Sequence, residues 1–179
     1  MELNEFKERY LKALPEIPPE ININLNQFRI FPKSKVDLLP IKENEKKLLK
    51  NVGLPEQASP YLSFTYNDEI VLEKLNVIDT NLDDKFSIYI IIGSNGTGDP
   101  ICIHSEDGRI VYLDHNIKMN EIFINSSISQ FVESICLFAE TMRSDCNFKF
   151  LEELEKVDYS AIKPKGMWLS EYEHLVYDK

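Results

Sequence analysis

Few residues in this 179-residue chain are of the types that attack carbonyls or shuttle protons. Cys102 and His104 lie two apart and so share one face of a strand, His115 follows further on, and Ser126 precedes an apolar helical run. A thiol beside an imidazole, or a hydroxyl beside a histidine and an aspartate, is the starting point of nucleophilic catalysis. That chemistry also needs an orienting carboxylate and an oxyanion hole, and Cys102-Ile103-His104 supplies neither. His104 and His115 therefore read as hairpin residues and Ser126 and Ser127 as a helix cap, and no catalytic residue is assigned. A small hydrolase or ligand-binding enzyme using Cys102, His104 or His115 is the alternative, and a regulatory adaptor on the same fold is another.

Glycines 93, 96 and 98 form the one dense glycine cluster and invite a phosphate-loop reading. A phosphate loop requires a following Lys-Ser/Thr and a helix N-terminus, whereas this one runs into Pro100 and a strand. It reads as a connection between strands, and no cofactor is expected. Metal ligation fails on spacing too, because HExxH, paired Cys/His and alternating calcium-loop acids are all missing from the sequence.

The elements that hold these residues follow from periodicity. Phe6, Tyr10, Leu11 and Leu14 recur at helical spacing and stop at Pro15. The residues 22–30 alternate as an edge strand would, and 42–52 form a short helix closed by Gly53 and Pro55. Strands are expected at 61–66, at 70–78 and at three places within 86–116, the first of these with Phe86, Ile88, Ile90 and Ile92 on one face. Glu106-Asp107-Gly108 is a hairpin turn, since glycine tolerates the positive φ required there. Ser127 and Gln130 cap the clearest helix, with Ile128, Phe131, Val132, Ile135, Phe138, Ala139 and Met142 as its apolar stripe. Shorter helices at 150–157 and around Trp168 complete the chain. Helices, then strands, then helices predict an α+β fold: a central, mainly antiparallel sheet flanked by helices, in a single domain over 1–179.

Thirty acidic against 20 basic side chains give a net charge of −10, which argues against nucleic acid or an anionic membrane and toward a basic protein partner. Seven acids between Asp79 and Asp114 face only Lys85 and Arg109, so half the excess negative charge falls on the turns of the sheet. Asp99, Glu106, Asp107 and Asp114 are the candidate partner-binding residues, weighed against simple solvation of turns. Three cysteines, Cys102, Cys136 and Cys146, form no CxxC pair and suit reduced thiols. The opening MELNEFKERYLKAL has no apolar run for a signal peptide or membrane span, so a cytoplasmic protein is expected.

Ile92-Gly93-Ser94-Asn95-Gly96-Thr97-Gly98-Asp99-Pro100-Ile101, then Gly108-Arg109-Ile110-Val111-Tyr112, then Ile124 to Phe131 with Asn125, Ser126 and Ser127, form an ordered set of motifs. With Gly53-Leu54-Pro55 upstream and Trp168 in a late helix, this set resembles the SUKH superfamily of bacterial immunity proteins, in its subgroup numbered four. The resemblance runs from about Lys42 to the C-terminus and leaves the first forty residues weakly covered. It implies a scaffold without an active site, which binds a cognate polymorphic toxin, a nuclease or deaminase for example, and occludes it. An acidic surface docking on a cationic cleft is the implied mechanism.

Overall fold

A computed structural model describes residues 3–16, 20, 24–143 and 149–177. Helix α1 (Leu3–Ala13) buries Phe6, Tyr10 and Ala13 on one side, and the rings of Phe6 and Tyr10 meet Phe28 edge-on. Phe28 belongs to β1 (Phe28–Arg29), after which come the short α2 (Lys33–Val36) and α3 (Glu43–Asn51). Helix α3 buries Leu48 and Leu49 and ends at Gly53, whose φ of +79° carries the chain into β2 (Leu54–Pro55). A Cβ at Gly53 would stand 1.9 Å from the Arg29 carbonyl oxygen, so only glycine permits the β1–β2 pairing at this closeness.

The main sheet follows. Strands β3 (Gln57–Ala58) and β4 (Leu62–Ser63) are short, and a segment containing α4 (Leu75–Ile78) then leads through a 3-10 turn at Asp84–Ile88 into the long strands. These are β5 (Tyr89–Ser94), β6 (Pro100–His104), β7 (Ile110–Asp114) and β8 (Asn120–Asn125). All six strands pair antiparallel in chain order, with short connections from β5 through β8 and the long segment 64–88 between β4 and β5. Helices α5 (Ile128–Arg143), α6 (Phe150–Val157) and α7 (Met167–Tyr177) close the chain.

Each face of the sheet is covered, which explains why its central strands are apolar on both sides. Ile90, Ile92, Ile101, Ile103, Ile110 and Ile124 pack into the larger core with Phe131, Ile135, Phe150 and Trp168 from the helices. Ile91, Cys102, Val111 and Leu113 point the other way, into a smaller core closed by Leu75 and Phe86. The expected α+β architecture, an antiparallel sheet flanked by helices, is the one found.

Local details differ from the periodic reading. Residues 70–78 form no named strand: Lys74 makes one isolated bridge to Ile90, and the segment then turns into α4, packing across the second sheet face. Phe86 precedes the strand in the 3-10 turn and joins Ile91 in the smaller core rather than Ile90 and Ile92 in the larger one. The 61–66 strand contracts to Leu62–Ser63, and the edge strand expected at 22–30 is limited to Phe28–Arg29, its residues 22 and 23 lying outside the described ones, as does Cys146. Strand β8 had no forecast; its alternation of Ile122 and Ile124 was legible but adjoined the helix-cap motif.

Candidate partner-binding site

Residues that carry the family-like motifs turn out to hold the scaffold together. At the β5–β6 connection the Asn95 side chain accepts from the backbone N–H of Thr97 (3.1 Å) and of Asp99 (2.8 Å), folding the loop on itself. Gly98 lies in that loop, and the fifth glycine, Gly108, closes the β6–β7 hairpin with its N–H bonded to the His104 carbonyl at 2.8 Å. Gly93 and Gly96 supply space. A Cβ at Gly93 would stand 2.5 Å from the Ser63 carbonyl oxygen and 2.6 Å from the Phe64 ring, and one at Gly96 2.8 Å from the Tyr61 Cβ. Gly93 and Gly96 are therefore the bed on which residues 61–64 lie, whereas a Cβ at Gly98 would meet nothing within 4 Å.

Asp99, expected among the partner-facing acids, is an internal carboxylate with only 3% of its surface exposed. It accepts from Asn95 Nδ2 (2.9 Å), Thr97 Oγ1 (2.7 Å) and the His115 backbone N–H (3.0 Å), and pairs with the His115 ring at Nδ1. Burial pushes its pKa up, but the donors from His115, Asn95 and Thr97 outweigh burial and hold it below the ordinary carboxylate value. Its charge is spent on tying the β5–β6 loop to the chain after β7.

A second buried knot explains Asn125, Ser126 and Trp168. The Asp158 carboxylate accepts from Asn125 Nδ2 (3.2 Å), Ser126 N (2.6 Å), Ser126 Oγ (3.0 Å) and Ser160 N (3.0 Å), while Trp168 Nε1 donates to Asn125 Oδ1 at 2.8 Å. The end of β8, the end of α6 and the start of α7 are thereby joined through one carboxylate and one amide. Ser127 Oγ accepts from the Gln130 N–H at 3.3 Å and donates to Gln130 Oε1, as a cap should. Buried Glu45 accepts from the Ser129 N–H at 3.1 Å, adding a negative group at the same helix N-terminus. Phe131 lies edge-on to Phe64 at 6.0 Å, and Leu54 and Pro55 are buried in β2. Sequence reasoning missed Asp158 and Glu45, because a single acid near a helix end looks like any other solvated one.

The candidate nucleophile and bases are not assembled. Cys102 is fully buried in the smaller core, and burial raises its thiol pKa; burial likewise pushes Cys136 up to about 12. His104 is 4% exposed, stacks edge-on to Tyr89 at 5.5 Å, and its Nδ1 stands 3.1 Å from Asp107 Oδ1 without a hydrogen-bond partner among the described residues. His115 is tied to Asp99, at the far end of β6 from His104, roughly 15 Å away by strand rise. Ser126 is bonded to Asp158 with no histidine among its hydrogen-bond partners. Among the described residues no group of three or more His, Cys, Asp or Glu could hold a metal ion, and no helix is long and apolar enough to cross a membrane.

The four candidate acids divide between opposite ends of the sheet. Glu106 and Asp107 lie exposed in the β6–β7 turn, where Asp107 pairs with Arg109, and Arg109 also bonds Glu121 at 3.0 Å. Asp114 lies at the other end with Asp99, its side chain accepting from the Asn116 N–H at 2.9 Å and remaining partly exposed. That second end also presents Tyr61, 82% exposed, and a groove of about 430 Å³ between residues 59–61 and the ends of α5 and α7. Tyr61 was read only as the start of a strand.

Fold and site together define an α+β scaffold whose motif residues are committed to internal ties, with exposed acids and one exposed aromatic at a sheet end. The model of the SUKH-4 immunity protein family matches residues 26–174, and the chain belongs to that family. No curated protein and no solved structure matches it.

Proposed function

We propose that the chain binds a cognate toxin made by its own cell or kin and neutralises it by occluding the toxin's active site, without catalysis of its own. The family match over 26–174 carries this reading. The buried Cys102, the separation of His104 from His115, and the commitment of Ser126 to Asp158 support it against a hydrolase. With a net charge of −10, the chain favours a basic toxin, such as a nuclease or deaminase whose cleft binds polyanions. Glu106, Asp107 and Asp114 then act as steering charges that raise the association rate, while Asp99 belongs to the fold. The site of action is the cytoplasm, where such a toxin would meet its substrate.

Co-expression with the product of the adjacent gene tests the proposal. The expected result is arrested growth with the toxin alone and restored growth with the chain present. An adjacent product that is harmless, or equally toxic beside the folded chain, contradicts it.

A further inference from the structure

Residues 59–61 are held on both sides, Pro60 and Leu62 being buried, yet the Tyr61 side chain between them points to solvent. Its φ is +54°, a left-handed conformation unfavourable for a side-chain-bearing residue and retained only where the surroundings impose it. The space left by Gly96 is part of that imposition, since any Cβ there would collide with Tyr61. Among the described residues Tyr61 makes no hydrogen bond and no ring contact. The fold thus maintains a strained backbone to display an aromatic ring that contributes nothing visible to the core.

Beside that ring lies the groove whose apolar lining is Pro60, Phe138, Met142 and Leu175, with Glu171 and His174 as polar members. Met142 is 53% exposed, so the walls are apolar and wet. Glu171 is half-buried, forms no hydrogen bond or ion pair among the described residues, and no lysine or arginine is among those lining the groove. Burial raises its pKa, and the nearby His174 only partly opposes this. Asp114, at the end of β7, is a second acid on the same end of the sheet. An apolar trough whose carboxylate meets no lysine or arginine among the described residues, beside a displayed tyrosine, is complementary to a basic side chain carried next to an apolar one. An arginine fits best, because it pairs with a carboxylate in a planar fork while stacking on an aromatic face.

We infer that this groove, with Tyr61 and Glu171 as anchors, is where the toxin docks an arginine flanked by an apolar residue. The inference rests on the toxin-binding reading and assigns it a surface. Tyr61 supplies area and a stacking face, Glu171 supplies the charge partner, and Asp114 and the more distant Glu106 and Asp107 guide the approach.

The test uses the full chain and the purified toxin of the adjacent gene in surface-binding kinetics. Tyr61→Ala and Glu171→Lys should each weaken binding by about tenfold or more, through faster dissociation. Glu106→Lys should slow association with little change in dissociation, and Leu38→Ala, an 84% exposed leucine elsewhere, should match the native chain. Unchanged melting temperatures would establish that the variants fold. If the native chain binds and both groove variants bind equally well, the groove is overturned while the toxin-binding reading stands. If the native chain does not bind at all, both readings fall. If the native chain is instead a dimer that Tyr61→Ala converts to monomer, the groove belongs to a second copy, which also overturns the inference.

Discussion

Two buried carboxylates do more for this fold than any exposed one. Asp158 satisfies four donors from Asn125 at the end of β8, Ser126 before the α5 cap and Ser160 after α6, so removing it strands the buried Asn125 amide and breaks the partly buried ties to Ser126 and Ser160. Asp158→Ala should cost about 3 kcal/mol, a fall of roughly 6–12 °C in Tm for a chain of this size, read by thermal melting. Asp99 carries a different signature. Its folded pKa lies below the unfolded value, so the folded state holds its proton less tightly, and the resulting stability is present above the ordinary carboxylate value of about 3.9 and lost as pH falls through the lower folded value. Asp99→Ala should therefore lower Tm clearly at pH 7, with the gap to the native chain shrinking below about pH 4. A gap independent of pH would mean that the loop is held by something other than the charge.

At the scale of elements, the glycines decide how closely segments approach. Gly53→Ala places a methyl against the Arg29 carbonyl at a positive φ, and should destabilise by more than about 2 kcal/mol by separating β1 from β2. Gly96→Ala meets Tyr61, whose Cβ would stand at 2.8 Å, so a Tm loss of a few degrees should accompany a loss of toxin affinity larger than that small destabilisation explains. Equal affinity would detach the glycine cluster from function. The helices were legible in the sequence, because α1, α3, α5 and α6 each bury an apolar stripe at 3.6-residue spacing and end at a proline, a glycine or a polar break. The segment 70–78 was not: its apolar residues suit a strand, but it touches β5 only briefly, the Leu72 N–H donating to the Ile91 carbonyl and the Ile91 N–H to the Glu73 carbonyl, before the chain turns into α4. Phe86 was misplaced for a related reason, since a 3-10 turn before β5 rotates it out of the strand's alternation. At the site, the sequence exposed the acids by their number but not their burial, so Asp99 and Asp107 looked alike although one is internal and one is paired at the surface. Tyr61 and Glu171 carry no motif at all; they come to line one groove only after the residues 59–61 dock beside α7.

For the molecule as a whole, the sheet serves as a frame: the larger core with its helices covers one face, the smaller core closed by Leu75 and Phe86 covers the other, and the loops at both ends carry acids. A protein that works by occlusion needs rigid loops, because ordering them on binding would subtract from affinity. The Asn95–Asp99–His115 ties and the glycine bed supply that rigidity at the end bearing Tyr61. The most direct test of this account is a titration of the adjacent-gene toxin's enzymatic activity with the purified full chain. Inhibition should be complete near one equivalent, with weaker association as salt rises; full toxin activity in the presence of an excess of folded chain would contradict it.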